Sequence, residues 1–381
     1  MARVAILTSE FLPFHGGIGT YARELAAAAA ALGHDVTVFA PDYGRMDHPD
    51  DRTSGFHVRR FRAGLHSPLS YPVYARVALQ AARVGKFDRI LAASVPFAEM
   101  LAATAAWHRR PYDIAVHGSD INKQKHSLRG RVFRPFGIFR RPHRIFANST
   151  FTRDLLRTKF PNVDAARIEV VYPGVVEKPS IDIPDIRTRL GIERNRRVIV
   201  MVARIAPRKG QHVLLEAVAG WPSERRERVA LVLIGTASGL SPDYELDLVR
   251  AAAAAQPAQT VRIERLSDPE IQALYRAADI FCLPGAVHPI EVEGFGLVLL
   301  EAAMQGLPAV AGHLGGVPEI VRDNETGLLV APGDRMALAA ALQRMLDDEA
   351  LRAKLGHAAR EAARHFTWDR CARQIFGTVR A

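Results

Sequence analysis

"RVAILTSEFLPFHGGIGTYARELAAAAAALGHDVTVFAP", Arg3–Pro41, has an apolar, β-branched run at each end, with a glycine turn and an alanine-rich segment between them. RVAILTS reads as a strand, Tyr21–Leu32 as a helix and DVTVFAP as a second strand. A helix between two strands makes a crossover, so the strands run parallel. The alternation continues in DRILAAS, YDIAVHGS and HRIFANS. Residues around 173–196 are rich in proline and charge without a strong period, and read as an interdomain linker. The pattern then restarts with RVIVMVARI, VALVLIG, VRIERL, DIFCLPG, PAVAGH and GLLVAP, separated by helical segments such as His212–Val218 and Ala337–Leu346. Two such sets in 381 residues, too many for one ordinary core, predict an α/β protein of two Rossmann-like domains facing each other across a cleft. The closing HFTWDRCARQIFGTVRA carries Phe366, Trp368 and Phe376, which predict a docked terminal helix.

With 48% hydrophobic and 24% charged residues the chain falls outside the disordered and fibrous classes. The net charge of +11 is lopsided: residues 1–180 hold 26 Lys/Arg against 15 Asp/Glu, and residues 181–381 hold 25 against 25. A one-sided basic field favours an anionic partner, whether nucleic acid, lipid headgroups or a phosphorylated substrate. Cys282 and Cys371 are too few for a disulfide framework or a zinc site and fit a reducing cytosol. The opening MARVAILTSEF enters a strand directly, without the apolar core and cleavage site of a signal peptide. LAAAAAAL, Leu25–Leu32, falls far short of the roughly 20 residues needed to cross a bilayer. A cytoplasmic protein is expected, with any membrane contact peripheral, on the inner face of the cytoplasmic membrane.

Open α/β sheets bind ligands beyond the carboxyl ends of their strands, where helices begin and backbone N–H groups lack partners. Four stretches have that address. Gly16, Gly17 and Gly19 open the first helix, where backbone can approach a phosphate closely. Their G-G-x-G does not match the dinucleotide G-x-G-x-x-G, and no acidic residue closes the second strand, so dehydrogenase chemistry loses ground. A glycine turn serving only packing stays open as an alternative. In VARIAPRKG, Arg204 and Lys209 flank a proline turn; two such cations can grip a diphosphate and stabilise the charge that grows on it as it leaves, or form a solvated pair.

In EGFGLVLLE, Glu293–Glu301, the glycines place the helix start near Leu297, which leaves the N–H groups from Phe295 to Val298 free for sugar hydroxyls or phosphate. Glu301 among Leu299, Leu300, Ala302 and Ala303 needs donors, and vicinal ribose hydroxyls would supply them. Glu293, on the loop, can accept from hydroxyls beyond the phosphates. The bland alternative is an acidic helix cap with Glu301 in a structural ion pair. His117 ends the strand in YDIAVHGSDIN, and a lone histidine is more often structural than catalytic.

Together and in this order, the pieces resemble the retaining GT-B glycosyltransferases of family 4, a group that includes bacterial lipid- and polysaccharide-directed mannosyl- and glucosyltransferases. E-G-F-G-L-V-L-L-E-A matches the family's Glu-x7-Glu signature, A-R-I-A-P-R-K-G matches Gly-Arg-x4-Lys-Gly with alanine first, and H-F-T-W matches the usual start of the terminal helix. The resemblance covers nearly the whole chain and is strongest from Arg197 to Pro332. It implies transfer of a hexose from a nucleoside-diphosphate sugar to a hydroxyl of a lipid-linked or glycan acceptor, in cell-envelope or polysaccharide synthesis. It also implies an acceptor-side domain over 1–176, rejoined by a terminal helix over 364–381, and a donor-binding domain over 186–363.

By position, the resemblance implies that Arg204 and Lys209 hold the donor diphosphate beside the backbone of Leu297 and Val298. Glu301 would take the ribose hydroxyls, and Glu293, Phe295 and Gly296 would orient the sugar. His117 would lie near the sugar on the acceptor side, Gly16 and Gly17 would close over the phosphates, and the base would lie near Arg265. No cofactor and no essential metal are implied; the chain contains no Asp-x-Asp pair. Retention is expected by front-face attack, with the departing phosphate helping to deprotonate the acceptor. One departure stands out: Pro284-Gly285 replaces the family's usual Pro-Ser and leads into AVHPIEVE, with an additional Glu291.

Residues 121–153 contain nine Lys/Arg and no acidic residue, interleaved with Phe133, Phe136, Ile138, Phe139 and Phe146. That mixture suits a surface that meets anionic headgroups and inserts apolar side chains; a solvated arginine-rich face is the alternative. A basic polyanion-binding module is a rival function, but no nucleic-acid reader motif is recognisable and no nucleic acid is expected. A nucleotide-sugar epimerase or hydrolase on the same architecture is another. Glu293 and Glu301 could stand as glycosidase carboxylates, yet their helix-start setting beside Arg204 and Lys209 fits diphosphate binding better.

Overall fold

Val4, Ala5, Ile6 and Leu7 are fully buried, as a central parallel strand with helices over both faces requires. The structure, a computed structural model, describes residues 1–381 except 15, 46, 47, 49, 50, 52–54, 65–67, 84, 178–182, 184, 238–241 and 379–381. His15 and part of the stretch read as a linker therefore lie outside the described residues. The chain divides into two units, Met1–Gly174 with Phe366–Ala381, and Val175–His365.

The first unit contains β1 (Arg3–Leu7), β2 (Asp35–Pro41), β3 (His57–Phe61), β4 (Arg89–Ala92), β5 (Asp113–Val116), β6 (Ile145–Ala147) and β7 (Ile168–Val170). They form one sheet in the order β3-β2-β1-β4-β5-β6-β7, and every pairing is parallel. Val4 pairs with Val36 on one side and Arg89 on the other, so the strand order reverses between β1 and β4. That reversal opens a crevice at the carboxyl ends.

The second unit contains β8 (Arg197–Val202), β9 (Val229–Ile234), β10 (Gln259–Ile263), β11 (Ile280–Leu283), β12 (Ala309–Gly312) and β13 (Gly327–Val330). Their order is β10-β9-β8-β11-β12-β13, again all parallel, with the reversal between β8 and β11. Val198, Val200, Leu231, Val232 and Phe281 are fully buried, each contributing about 1.5–3 kcal/mol relative to exposure.

Strands β3 and β7 were absent from the sequence reading. Both are sheet edges, and β3 carries Arg59 and Arg60 in a half-solvated strand, so neither shows a continuous apolar run. The first helix spans Gly17–Ala31, four residues earlier than its apolar pattern begins, because Gly17 and Gly19 join it. In the described part of the linker stretch, Ile186 and Ile192 are buried, and Arg189 pairs with Glu270 at 2.7 Å within the second unit.

The terminal helix, Trp368–Phe376, is capped by Thr367, which accepts from Arg370 N–H at 3.2 Å. Trp368, Cys371, Ala372, Ile375 and Phe376 form a buried stripe with helical spacing. Trp368 meets Tyr21 edge-on at 5.7 Å, and Arg144 donates to the Ile375 carbonyl at 2.7 Å, so the helix belongs to the first unit.

One expectation for the basic stretch needs correction. Ile138, Phe139 and Phe146 are buried in the first unit's core, Phe146 on an interior strand, and Phe133 stacks on Tyr71 at 5.6 Å. Of the five residues read as apolar surface, Phe136 is exposed; it is joined by Leu128 and Val132, which the sequence reading passed over.

Candidate functional site

In the second unit, three loops meet where the strand order reverses. After β8 the chain turns through Pro207–Lys209 and leaves at Gly210, whose φ of +81° favours glycine. Gly285 N–H donates to the Lys209 carbonyl at 3.2 Å and Ala286 N–H to that of Arg208 at 2.9 Å, which ties this turn to the loop after β11. The third loop, after β12, supports the second: Gly316 N–H donates to the Glu293 carbonyl at 2.9 Å.

These loops bring Lys209 and Glu293 into a direct ion pair. Arg208 reaches the same Glu293 oxygen at 3.4 Å and bonds Glu291 through Nε at 2.9 Å. Arg204 is exposed and its guanidinium has no hydrogen-bond or ion-pair partner among the described residues. Three cations thus face two carboxylates, leaving the cluster receptive to another anion. Burial pushes the Glu293 carboxyl up, but the Lys209 ammonium and Arg208 guanidinium outweigh it and hold Glu293 below the ordinary value of 4.5. Its contribution to stability is therefore present above that value and lost as pH falls through the depressed one. Burial lowers the Lys209 pKa from 10.5, a fall that Glu293 opposes and Arg208 adds to.

The next helix spans Leu297–Met304, starting at the predicted residue, and Gly296 precedes it with φ of +99°. The N–H groups of Leu297 and Val298 have no acceptor among the described residues. Phe295 is buried beneath this start. Glu301 is half-buried within the helix, its neighbours Leu299, Leu300, Ala302 and Ala303 all buried. The Tyr275 phenol is raised well above its ordinary range, first by burial and then by the Glu301 carboxylate nearby. Arg265 is exposed after β10, separated from β8 by β9.

The first unit places its candidates at its own reversal. Gly16 precedes the first helix in an extended conformation without a side-chain cap, and a side chain at Gly17 would meet nothing within 4 Å. Ser9 donates to Ser94 Oγ through N–H at 3.0 Å, joining the loops after β1 and β4. His117, following β5, is anchored: its N–H donates to Asp120 at 3.0 Å, its Nε2 lies 3.0 Å from the Ala93 carbonyl, and Tyr21 meets its ring edge-on at 4.9 Å. A carbonyl only accepts, so Nε2 carries a proton, and in the tautomer protonated there alone Nδ1 is an acceptor.

The geometry therefore joins Lys209, Glu293, Phe295, Gly296, Leu297 and Val298, with Arg204 and Glu301 on the same elements. Sequence reasoning missed the part played by Arg208 and the support from Gly315-Gly316. The adjacent cations of PRKG and the glycine pair after PAVAGH were the available signals. Cations and unpaired N–H groups can receive a diphosphate, and the carboxylates can accept from hydroxyls.

Comparison with known proteins gives a consistent picture. The family model described as Glycosyl transferases group 1 matches residues 182–362, and that of Glycosyltransferase Family 4 matches 15–178. A GDP-mannose-dependent alpha-(1-6)-phosphatidylinositol monomannoside mannosyltransferase of Mycobacterium tuberculosis is 30% identical over 396 residues, covering 100% of this chain and 98% of that one. A D-inositol 3-phosphate glycosyltransferase of Nocardioides is 34% identical over 232 residues; the match takes in 58% of this chain and 49% of that protein, about half its length. Anabaena HepE in complex with UDP-glucose superposes with a TM-score of 0.79 at 24% identity, covering 98% of both chains. Sucrose-phosphate synthase from Thermosynechococcus elongatus has a TM-score of 0.81 at 23% identity, over 98% of this chain and 97% of that one. At such identities the two structures speak to the fold alone.

Proposed function

The chain belongs to the group 1, family 4 glycosyltransferases, and from that premise we propose that it transfers a hexose from a nucleoside-diphosphate sugar to an acceptor hydroxyl with retention of configuration. The observation that carries this reading is the Lys209–Arg208–Glu293 cluster beside the unpaired N–H groups of Leu297 and Val298. Arg204, Lys209 and those N–H groups take the diphosphate, Glu301 the ribose, and Glu293 with Phe295 and Gly296 the sugar, with the base toward Arg265. For the first unit, the reading assigns phosphate to the helix start at Gly16 and Gly17, of which Gly17 faces open space, and a sugar hydroxyl to Nδ1 of His117.

In the transfer the bond from the anomeric carbon to the phosphate oxygen breaks, and the acceptor oxygen bonds to that carbon on the same face. The departing phosphate takes the acceptor proton, and nucleoside diphosphate leaves. Positive side chains and oriented N–H groups stabilise the charge on the leaving group, so activity is expected to persist in EDTA.

Melting-point measurements with UDP-, GDP-, ADP- and dTDP-sugars test the donor. One base should raise the melting temperature by roughly 5–10 °C at about a hundredfold excess over Kd, and Glu301→Ala should remove most of that rise. No rise with any of the four would end the reading. Free sugar without acceptor-linked product would favour a hydrolase instead.

The cluster also sets a pH dependence. Because burial lowers the Lys209 pKa, donor affinity should fall on the alkaline side before the ordinary lysine value of 10.5. Lys209→Arg should push that limb to higher pH, since a guanidinium keeps its proton. Titrations across the alkaline range would show it; identical limbs in both proteins would exclude Lys209 as their source.

The acceptor is proposed to be lipid-linked or glycan, with a peripheral membrane contact. Among the described residues no helix is long and apolar enough to cross a membrane. What supports the contact is Leu128, Val132 and Phe136, 71%, 56% and 40% exposed at four-residue intervals beside Arg129, Arg131 and Arg134. Arg131→Ala with Arg134→Ala should lower partitioning onto anionic vesicles at least tenfold in flotation, at about 1 kcal/mol per basic residue. Equal partitioning onto neutral and anionic vesicles would count against the basic stretch.

A further inference from the structure

The additional carboxylate at Glu291 has a defined place in the fold. Glu291 bonds Arg208, Arg208 reaches Glu293, and Glu293 meets Lys209, so charges alternate along the row; the four side chains are 28%, 11%, 17% and 11% exposed. The turn carrying Glu291 is fixed by His288, whose Nδ1 accepts from the N–H of Ile290 at 3.2 Å and of Glu291 at 2.8 Å. A shielded ammonium requires an anion beside it. In the structure Glu293 supplies it. A diphosphate on Lys209 would supply it equally, so carboxylate and diphosphate compete for one ammonium.

We propose that Glu291 and Arg208 are positioning residues: Glu293 covers Lys209 as a stand-in for the diphosphate, and when the diphosphate takes Lys209, Arg208, held by Glu291, retains the Glu293 carboxylate and aims it at the donor sugar. The carboxylate thereby changes task without being left buried and unpaired. This inference rests on the reading that Lys209 holds the donor diphosphate. Arg208 alone, without Glu291 to hold it, would be drawn toward the incoming diphosphate and would carry Glu293 off the sugar.

Calorimetric titration of the full chain and its variants with UDP and with GDP, together with kcat and KM for transfer, tests it. Lys209→Ala should weaken the preferred nucleoside diphosphate at least tenfold. Glu293→Gln should tighten it about tenfold while transfer falls, because the competitor for Lys209 is gone. Glu291→Gln should change that affinity less than threefold and lower kcat about tenfold, with Glu291→Asp recovering part of the loss. A purely structural Glu291 would instead move melting temperature, Kd and kcat together. Weaker or unchanged binding in Glu293→Gln, or wild-type kcat in Glu291→Gln, overturns the inference while leaving the donor reading intact. If Lys209→Ala binds as tightly as the wild type, the donor reading itself fails and takes the inference with it. Should Glu293→Gln melt too early to titrate, the more exposed Glu291→Gln decides.

Discussion

Lys209→Ala should lower kcat/KM for transfer by about 10²–10³-fold, the scale of losing one pre-positioned charge at a developing anion. The ammonium is held by fold geometry: a 3₁₀ turn places it, Gly210 turns the chain away, and the loop after β11 is bonded to the Arg208 and Lys209 carbonyls. Alanine removes the charge without disturbing those backbone bonds. It also strips Glu293 of its nearer partner, and because Arg208 remains at 3.4 Å the stability cost should be roughly 2 kcal/mol, less than for a fully orphaned buried carboxylate. Steady-state kinetics beside a melting curve separate the two effects. A loss of activity below threefold would remove Lys209 from the chemistry.

Gly315→Ala should cost roughly 2–4 kcal/mol of stability and about a hundredfold in turnover, although residue 315 carries no functional group. Its φ is +61°, and a Cβ there would lie 1.9 Å from the Glu293 carbonyl oxygen. Neither backbone can keep its place, so the loop that carries Glu293 must shift, and a displacement near 1 Å is enough to cost catalysis heavily. Gly333→Ala is the matched comparison: φ is +78° but nothing lies within 4 Å, so only backbone strain of about 1 kcal/mol is expected and activity should hold. Equal kcat in the two variants would mean that the loop after β12 does not position Glu293.

The contrast between these glycines shows what a sequence can and cannot carry. The interior strands, the helix start at Leu297 and the terminal helix with its Trp368–Phe376 stripe were all legible, because apolar period and glycine punctuation are written in consecutive residues. Edge strands β3 and β7 were not, since a half-solvated strand of three to five residues needs no apolar run. The basic stretch misled in part: Ile138, Phe139 and Phe146 look alike in sequence whether they face water or core, and only packing assigns them.

The site divides the same way. Arg204, Lys209, Glu293 and Glu301 stood out by type and spacing alone. Arg208 did not, because its meaning lies in Glu291 and Glu293, which are 83 and 85 residues away. Gly315 showed only as one of a glycine pair: the carbonyl that bars a side chain there belongs to a different loop, so its partner was not written in the local pattern. Local spacing thus determined the parallel α/β architecture and singled out residues whose charge and hydrogen-bonding chemistry suit an anion and hydroxyls. Which cation each carboxylate meets was decided by the tertiary structure, because the reversal between β8 and β11 brings distant loops within hydrogen-bonding range.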